Sequence, residues 1–382
     1  MSESQSLRWG DRAQFHAARL AGRMPPRVLH VLAGGPPSTV DGSVLDDQLH
    51  LGLEFYNRKP NRRPFDVVAR REEGRRAAGI MAGRPVPVRE VRELTLDGPG
   101  GPLPARHYVP FGHGLDSPEP LLVWFHGGGF VLGDLETADQ PARMLCRHGD
   151  LNVLSVEYRL APEHPFPAAV DDAVAAFDWA RRNVAVLGAD PTRVAVGGDS
   201  AGGNLAAVVA QQRRGPRGPA AQLLAYPATD MVTRYPSIDQ FADGYFLTEA
   251  DTTWFLDHYA AGHDRTDPRL SPLMAHDLTG VASALVATAA FDVLRDNGEA
   301  YARALRASRV PVVLRRVPRL IHGFLNTVGI NRGAREAAVG IATSFRTVLE
   351  LADPLARSRV SPPGRATTGR HASAGRQDIL EG

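Results

Sequence analysis

The stretch Gly198-Asp199-Ser200-Ala201-Gly202 restricts this chain more than any other. The short apolar run Arg193-Val194-Ala195-Val196-Gly197 precedes it and predicts a buried strand. The small-residue run Asn204-Leu205-Ala206-Ala207-Val208-Val209-Ala210 follows it and predicts a helix. A strand that passes into a helix within so few residues needs a tight, strained corner. Glycines two positions to either side of Ser200 let the two elements pass closely where a Cβ would collide. Ser200 then projects its hydroxyl above the strand end, and the first helical amides point at the same spot, where they favour negative charge. Such a corner is a device for presenting a nucleophile.

The surrounding chain supplies a sheet for that corner. Residues 121–125 form a continuous apolar run of the kind buried in a parallel sheet. Strands are expected again at 151–156, 193–197, 222–227, 284–289 and 312–317. Helices are expected at 168–183, 299–307 and 335–351. Residues 86–111 read as two strands about the turn Gly98-Pro99-Gly100-Gly101-Pro102, followed by a surface loop at 112–120. This alternation predicts a mostly parallel central sheet with helices on both faces, the α/β-hydrolase fold.

Two segments break the alternation. Residues 43–80 are helical in pattern throughout, with Val44 counted in the helical part. Residues 235–262 are helical and carry Tyr235, Phe241, Tyr245, Phe246, Trp254, Phe255 and Tyr259. Both are expected to form a helical cap. The division is therefore an arm at 1–42, cap helices at 43–85, and a catalytic domain at 86–352 with a cap insertion near 230–265. The polar, proline- and glycine-rich tail at 353–382 is expected to be disordered.

A serine hydroxyl needs a base, and the base needs an orienting carboxylate. His322 follows the last expected strand, and Asp292 follows the strand before it. The order Ser200, Asp292, His322 suits a hydrolase of this fold. Asp296 is the competing carboxylate; it lies farther from the strand end and reads as a cap for the next helix. His126-Gly127-Gly128-Gly129 follows the 121–125 strand and reads as an oxyanion loop, with Gly128, Gly129 and Ala201 as the amide donors. Gly129 is followed by Phe130-Val131-Leu132, so Gly-x-Gly-x-x-Gly is absent and a dinucleotide fold is disfavoured. The segment 158–167 reads as a rigid scaffold behind that loop, with Arg159 and Glu163 able to pair. Asp199 reads as a backbone-orienting residue. Phe130, Tyr245, Phe246, Leu247 and Phe324 are the candidate substrate-binding walls.

Composition narrows the partners. Formal charge is +2, close to balance, so no nucleic-acid partner is implied. Lys59 is the one lysine among 44 basic residues; the arginine excess reads as coding bias and not as an arginine-built site. The single cysteine, Cys146, excludes an intrachain disulfide and a cysteine metal cluster. No metal or cofactor is required by the constellation. No secretory or membrane-spanning run is seen, so a cytoplasmic location is the default expectation. The arginines of the arm (Arg8 and Arg12; Arg19, Arg23 and Arg27) offer a membrane-surface contact, but its apolar stripe is thin and a packed arm is preferred. The sequence leaves room for a homodimer.

Taken together, His126-Gly127-Gly128-Gly129-Phe130, the 158–167 segment, Gly198 to Gly203, Asp292-Val293-Leu294-Arg295-Asp296 and His322-Gly323-Phe324 resemble the bacterial hormone-sensitive-lipase-like carboxylesterases with Gly-Asp-Ser-Ala-Gly at the nucleophile. The resemblance covers about residues 43–350. It implies a serine carboxylesterase acting on small esters of short to medium acyl chain, with Ser200, Asp292 and His322 as triad. Val293 stands where that family usually has proline, which does not touch the carboxylate. Two alternatives stay open at this point: an amidase or peptidase with the same triad, and a noncatalytic ligand-binding homologue. Known homologues of the second kind lose the histidine, which this chain keeps.

Overall fold

The computed structural model describes residues 9–58, 66–111 and 118–352. The expected disordered tail, Leu7 and Arg8 of the arm, and most of the expected 112–120 loop lie outside them.

The arm forms α1 (Trp9–Ala21) and α2 (Pro26–Ala33). Pro26 opens α2, where a missing N–H breaks no helical bond. Next come β1 (Thr39–Val40) and β2 (Ser43–Val44), an antiparallel pair. Val44 was expected in a helix. Asp41 and Gly42 both adopt positive φ, 48° and 74°, and turn the chain into a hairpin instead. Two helices follow, α3 (Asp47–Asn57) and α4 (Val67–Ala82), each started by an aspartate side chain. Asp46 accepts the amides of Gln48 and Leu49, and Asp66 accepts that of Ala69.

The catalytic body begins with β3 (Glu90–Gly98) and β4 (Gly101–Val109), a hairpin. It continues through β5 (Glu119–Phe125), α5 (Leu135–Gly149), β6 (Asn152–Val156), α6 (Ala168–Arg182), β7 (Ala189–Asp199) and α7 (Ala201–Gln212). Then come β8 (Ala221–Ala225), the short α8 (Pro236–Gln240), α9 (Glu249–Ala260), β9 (Ser283–Phe291), α10 (Arg295–Ala307), β10 (Val312–Ile321) and α11 (Arg332–Ala352). Eight strands form one sheet in the order β3-β4-β6-β5-β7-β8-β9-β10. Only β4 runs against its neighbours within this sheet; the other pairings are parallel.

Strand alternation divides the core between the two faces of the sheet. On β5, Leu121, Val123 and Phe125 join the residues of α6, α7 and α10 on one face. Leu122 and Trp124 join those of α5 and α11 on the other. Burial on both faces explains why β5 reads as an unbroken apolar run. Helix α4 differs from the rest, since it has no buried residue. Four of its arginines attach it to the rest of the chain. Arg70 pairs with Asp251 and Arg71 with Glu163. Arg75 pairs with Asp134 and Arg76 with Asp11 of α1. The arginine excess, read as coding bias, thus has a structural use at this helix.

Candidate active site

Four parallel strands end at one edge, and each is followed at once by a polar residue of the site. His126 follows β5, Ser200 follows β7, Asp292 follows β9 and His322 follows β10. This is the edge at which open α/β sheets place ligands.

Ser200 sits at φ 55°, ψ −116°, between the last residue of β7 and the first of α7. A non-glycine residue held there costs on the order of 1–3 kcal/mol, so its surroundings must hold it. Its amide donates to the Ala225 carbonyl at 2.9 Å, and its own carbonyl accepts from Asn204 at 3.1 Å. The flanking glycines are obligatory by contact. A Cβ at Gly202 would lie 1.9 Å from the Phe125 carbonyl oxygen, and one at Gly198 would lie 2.2 Å from the backbone of Gly202.

The structure brings Ser200, His322 and Asp292 together. His322 Nε2 lies 3.0 Å from Ser200 Oγ, and His322 Nδ1 lies 2.8 Å from Asp292 Oδ2. The other Asp292 oxygen accepts the Leu294 amide at 2.8 Å, which fixes the carboxylate plane. All three are buried. Asp296, the competing carboxylate, is turned elsewhere. It was expected to cap α10 but lies inside that helix, where it accepts the Ser237 amide at 3.0 Å and so caps α8.

Beside Ser200 the chain after β5 makes a loop of left-handed residues. Gly128, Gly129 and Phe130 have φ of 124°, 62° and 63°. Successive residues of this kind turn their amides into one concavity. The Gly128 carbonyl accepts from Val131 and Leu132 and closes the turn. Among the described residues, no acceptor meets the amides of Gly128, Gly129 or Ala201. Those three expected donors are therefore free to bind an anion.

Several groups hold the loop. Asp199 Oδ1 accepts the Gly127 amide at 3.0 Å. Burial pushes the Asp199 carboxyl up to about 6, against the pull of the Gly127 amide and of His322. Tyr158 donates its hydroxyl to the His126 carbonyl at 2.7 Å, and the two rings stack at 4.4 Å. His126 is itself buried, which lowers its pKa, and its Nδ1 donates to the Gly127 carbonyl at 2.8 Å. The Ala161 amide donates to the Phe130 carbonyl at 2.9 Å, so the 158–167 segment does back the loop. The expected Arg159–Glu163 pair does not form. Arg159 pairs with Asp172 on α6 at 2.8 Å. Arg71 of α4 takes Glu163, at 2.7 and 2.8 Å, and also donates to the carbonyls of Val131 and Ala161. This fork holds the Glu163 carboxyl down at about 2. Sequence gave no sign of Arg71, because its partners lie 60 to 92 positions away.

The five candidate wall residues divide. Phe246, at φ 75° and 38% exposed, lies next to Gly323; a Cβ there would be 3.5 Å from its ring. Tyr245 and Leu247 are half-buried on the same loop, with Tyr245 stacked on Phe291. Phe324 is completely buried and packs edge-on against Tyr226 beneath His322, which makes it a core residue and not a wall. Phe130 is buried and stacked on Tyr259 with ring centres 3.8 Å apart. A residue outside the expected set, Phe255 of α9, lies directly on Gly129. Among the described residues, no group of three His, Cys, Asp or Glu side chains could hold a metal ion. No described helix is long and apolar enough to cross a membrane.

Comparison with known proteins agrees with this geometry. A family model described as alpha/beta hydrolase fold matches residues 122–326. The chain is 44% identical to carboxylic ester hydrolase LipN of Mycobacterium tuberculosis, over 85% of this chain and 89% of the relative. It is 35% identical to an ethyl acetate hydrolase of Pseudomonas putida, over 72% of this chain and 88% of that protein. Among solved structures, the ester hydrolase EH1AB1 from the metagenome of Lake Arreo superimposes with a TM-score of 0.76 at 39% identity, covering 80% of this chain and 99% of that one. The chain belongs to the α/β-hydrolases, in their hormone-sensitive-lipase-like branch of carboxylic ester hydrolases.

Proposed function

We propose that the protein is a serine carboxylesterase that hydrolyses small carboxylic esters of short to medium acyl chain through an acyl-enzyme. The observation that carries this is the Ser200–His322–Asp292 relay beside three free amides. Ser200 Oγ attacks the ester carbonyl carbon while His322 Nε2 takes its proton. Asp292 keeps the His322 Nδ1–H in place and stabilises the imidazolium. The carbonyl oxygen becomes an oxyanion held by the amides of Gly128, Gly129 and Ala201. One such donor contributes about 3 kcal/mol of transition-state stabilisation. The tetrahedral intermediate collapses, His322 gives its proton to the departing alcohol oxygen, and the acyl group stays on Ser200. Water then repeats attack and collapse, releasing the acid and restoring the serine.

Short esters are favoured because two aromatic side chains stand beside the site, Phe246 at Gly323 and Phe255 at Gly129. The name of the Pseudomonas putida relative supports the same size class. The arm is read as packed and not as a membrane contact. Gln48 ties α1 to the body through the carbonyls of Ala18 and Ile330, and His30 bonds Asp47. A cytoplasmic site of action fits this reading. Co-sedimentation of the full chain with anionic vesicles should be at background.

The test is a series of p-nitrophenyl esters of rising acyl length, wild type against Ser200→Ala. Hydrolysis that peaks at short acyl chains and vanishes in the variant is expected. A folded wild type with no ester hydrolysis would end the proposal.

A further inference from the structure

Phe255 occupies the space beside the oxyanion loop. A Cβ built on Gly129 would lie 2.2 Å from Phe255 Cγ, so the ring rests on the Gly129 Cα with nothing between. The ring also meets Arg70 of α4, whose guanidinium carbon lies 5.2 Å from the Phe255 ring centre and 4.1 Å from that of Trp254. Arg70 also pairs with Asp251 at 2.8 Å, and the two side chains are 11% and 6% exposed. Asp251, Trp254 and Phe255 share one face of α9, at spacings of three and four residues. The second Asp251 oxygen closes the capping box of α9 with Thr248. One guanidinium thus grips a helix start, an indole and the ring that touches the loop. A planar, always-charged group suits this use better than an ammonium.

Directions at the tetrahedral carbon follow from the proposed ester mechanism, on which this inference rests. The leaving oxygen faces His322, where Phe246 stands beside Gly323. The oxyanion faces the amides of Gly128, Gly129 and Ala201. The acyl chain takes a third direction, and we assign it to the side of the loop where Phe255 touches Gly129. We infer that Phe255 is a specificity-determining residue that limits acyl length, and that Arg70 is the positioning residue that holds its ring against Gly129.

The experiment measures kcat/KM for p-nitrophenyl esters from acetate to dodecanoate, and for acetate esters of lengthening alcohols. Phe255→Ala should raise the decanoate-to-acetate ratio about tenfold or more and leave the ranking of alcohols as in the wild type. Phe255→Trp should move the acyl optimum toward acetate. Arg70→Gln should shift the acyl profile in the direction of Phe255→Ala, mainly through KM for long chains, and Arg70→Lys should restore part of the wild-type profile. Phe255→Leu, closer in volume, gives the same reading if Phe255→Ala does not fold. An acyl profile indifferent to residue 255, or a shift confined to the alcohol series, overturns the inference while the esterase reading stands. A wild type without ester hydrolysis overturns both.

Discussion

Asp199 reaches from the residue before the nucleophile to the first glycine of the oxyanion loop, accepting the Gly127 amide at 3.0 Å. Strand β7 and the loop after β5 are thereby tied at the point where attacking and stabilising groups must be in register. The Asp199 carboxyl is buried, and burial raises it to about 6. An unfolded aspartate titrates near ~4. Between those values the native state keeps a proton that the unfolded chain has lost. The contribution of this group to stability is therefore full below ~4 and is lost as pH rises through about 6. Asp199→Asn has no such titration. The stability of the wild type minus that of the variant, from urea melts, should decline across this window and then level off. A difference that grows with pH would contradict the assignment.

Asp292→Asn should keep the fold and lower kcat on the order of 10⁴-fold, because an amide cannot hold the His322 tautomer that takes the serine proton. Steady-state kinetics on p-nitrophenyl acetate reads this. A loss below about tenfold would mean that another group orients His322.

Arg71→Ala removes the donor to the carbonyls of Val131 and Ala161 and frees Glu163. The loop should lose its register while the triad stays intact. A fall in kcat of about 10- to 100-fold with little change in KM is expected. Arg71→Lys should recover little, since a single ammonium cannot reach all three acceptors at once. A change in KM alone would place Arg71 in substrate binding instead.

Gly202→Ala places a methyl group 1.9 Å from the Phe125 carbonyl oxygen, an atom of central strand β5 that cannot yield without moving the oxyanion loop. Destabilisation of about 3 kcal/mol or more is expected, visible as a large drop in Tm. Gly133→Ala would meet His126 on its side chain as well as the Gly127 carbonyl and tests the same crowding from the other end of the loop.

Tyr158→Phe leaves the His126 carbonyl without its hydroxyl donor inside the protein. The expected cost is about 1–3 kcal/mol in unfolding free energy, with a smaller loss in kcat.

What the sequence made legible was local. The corner at Ser200 announces itself through the glycines at 198 and 202, because only a missing Cβ permits that approach. The strands and their ends follow from apolar runs such as 121–125, and the polar residues just past those ends mark the working edge. What stayed hidden depends on distant partners. Arg159 and Glu163 are close in sequence, and pairing them was reasonable, but Asp172 and Arg71 lie nearer once α6 and α4 are docked. Phe324 lies two residues after His322 and was expected in the pocket. Its position below the histidine, against Tyr226, is set by the turn after β10, which begins with Gly323 at φ 74°. Phe255 carries no local mark among seven aromatics of its segment; only the docking of α9 selects it. The β1–β2 hairpin was missed for a different reason, since Asp41-Gly42 is a turn signal that a helical pattern on either side obscured.

Helix α4 is held mainly by charge: none of its residues is fully buried, and four of its arginines pair with acids elsewhere in the chain. Such an attachment can be retuned one ion pair at a time, with little apolar packing to repair. Helix α4 and the body that holds the triad can therefore drift apart in evolution. Arg75 and Arg76 and their acids can be exchanged on this scaffold while the triad stays as it is, whereas Arg71 is tied to the oxyanion loop.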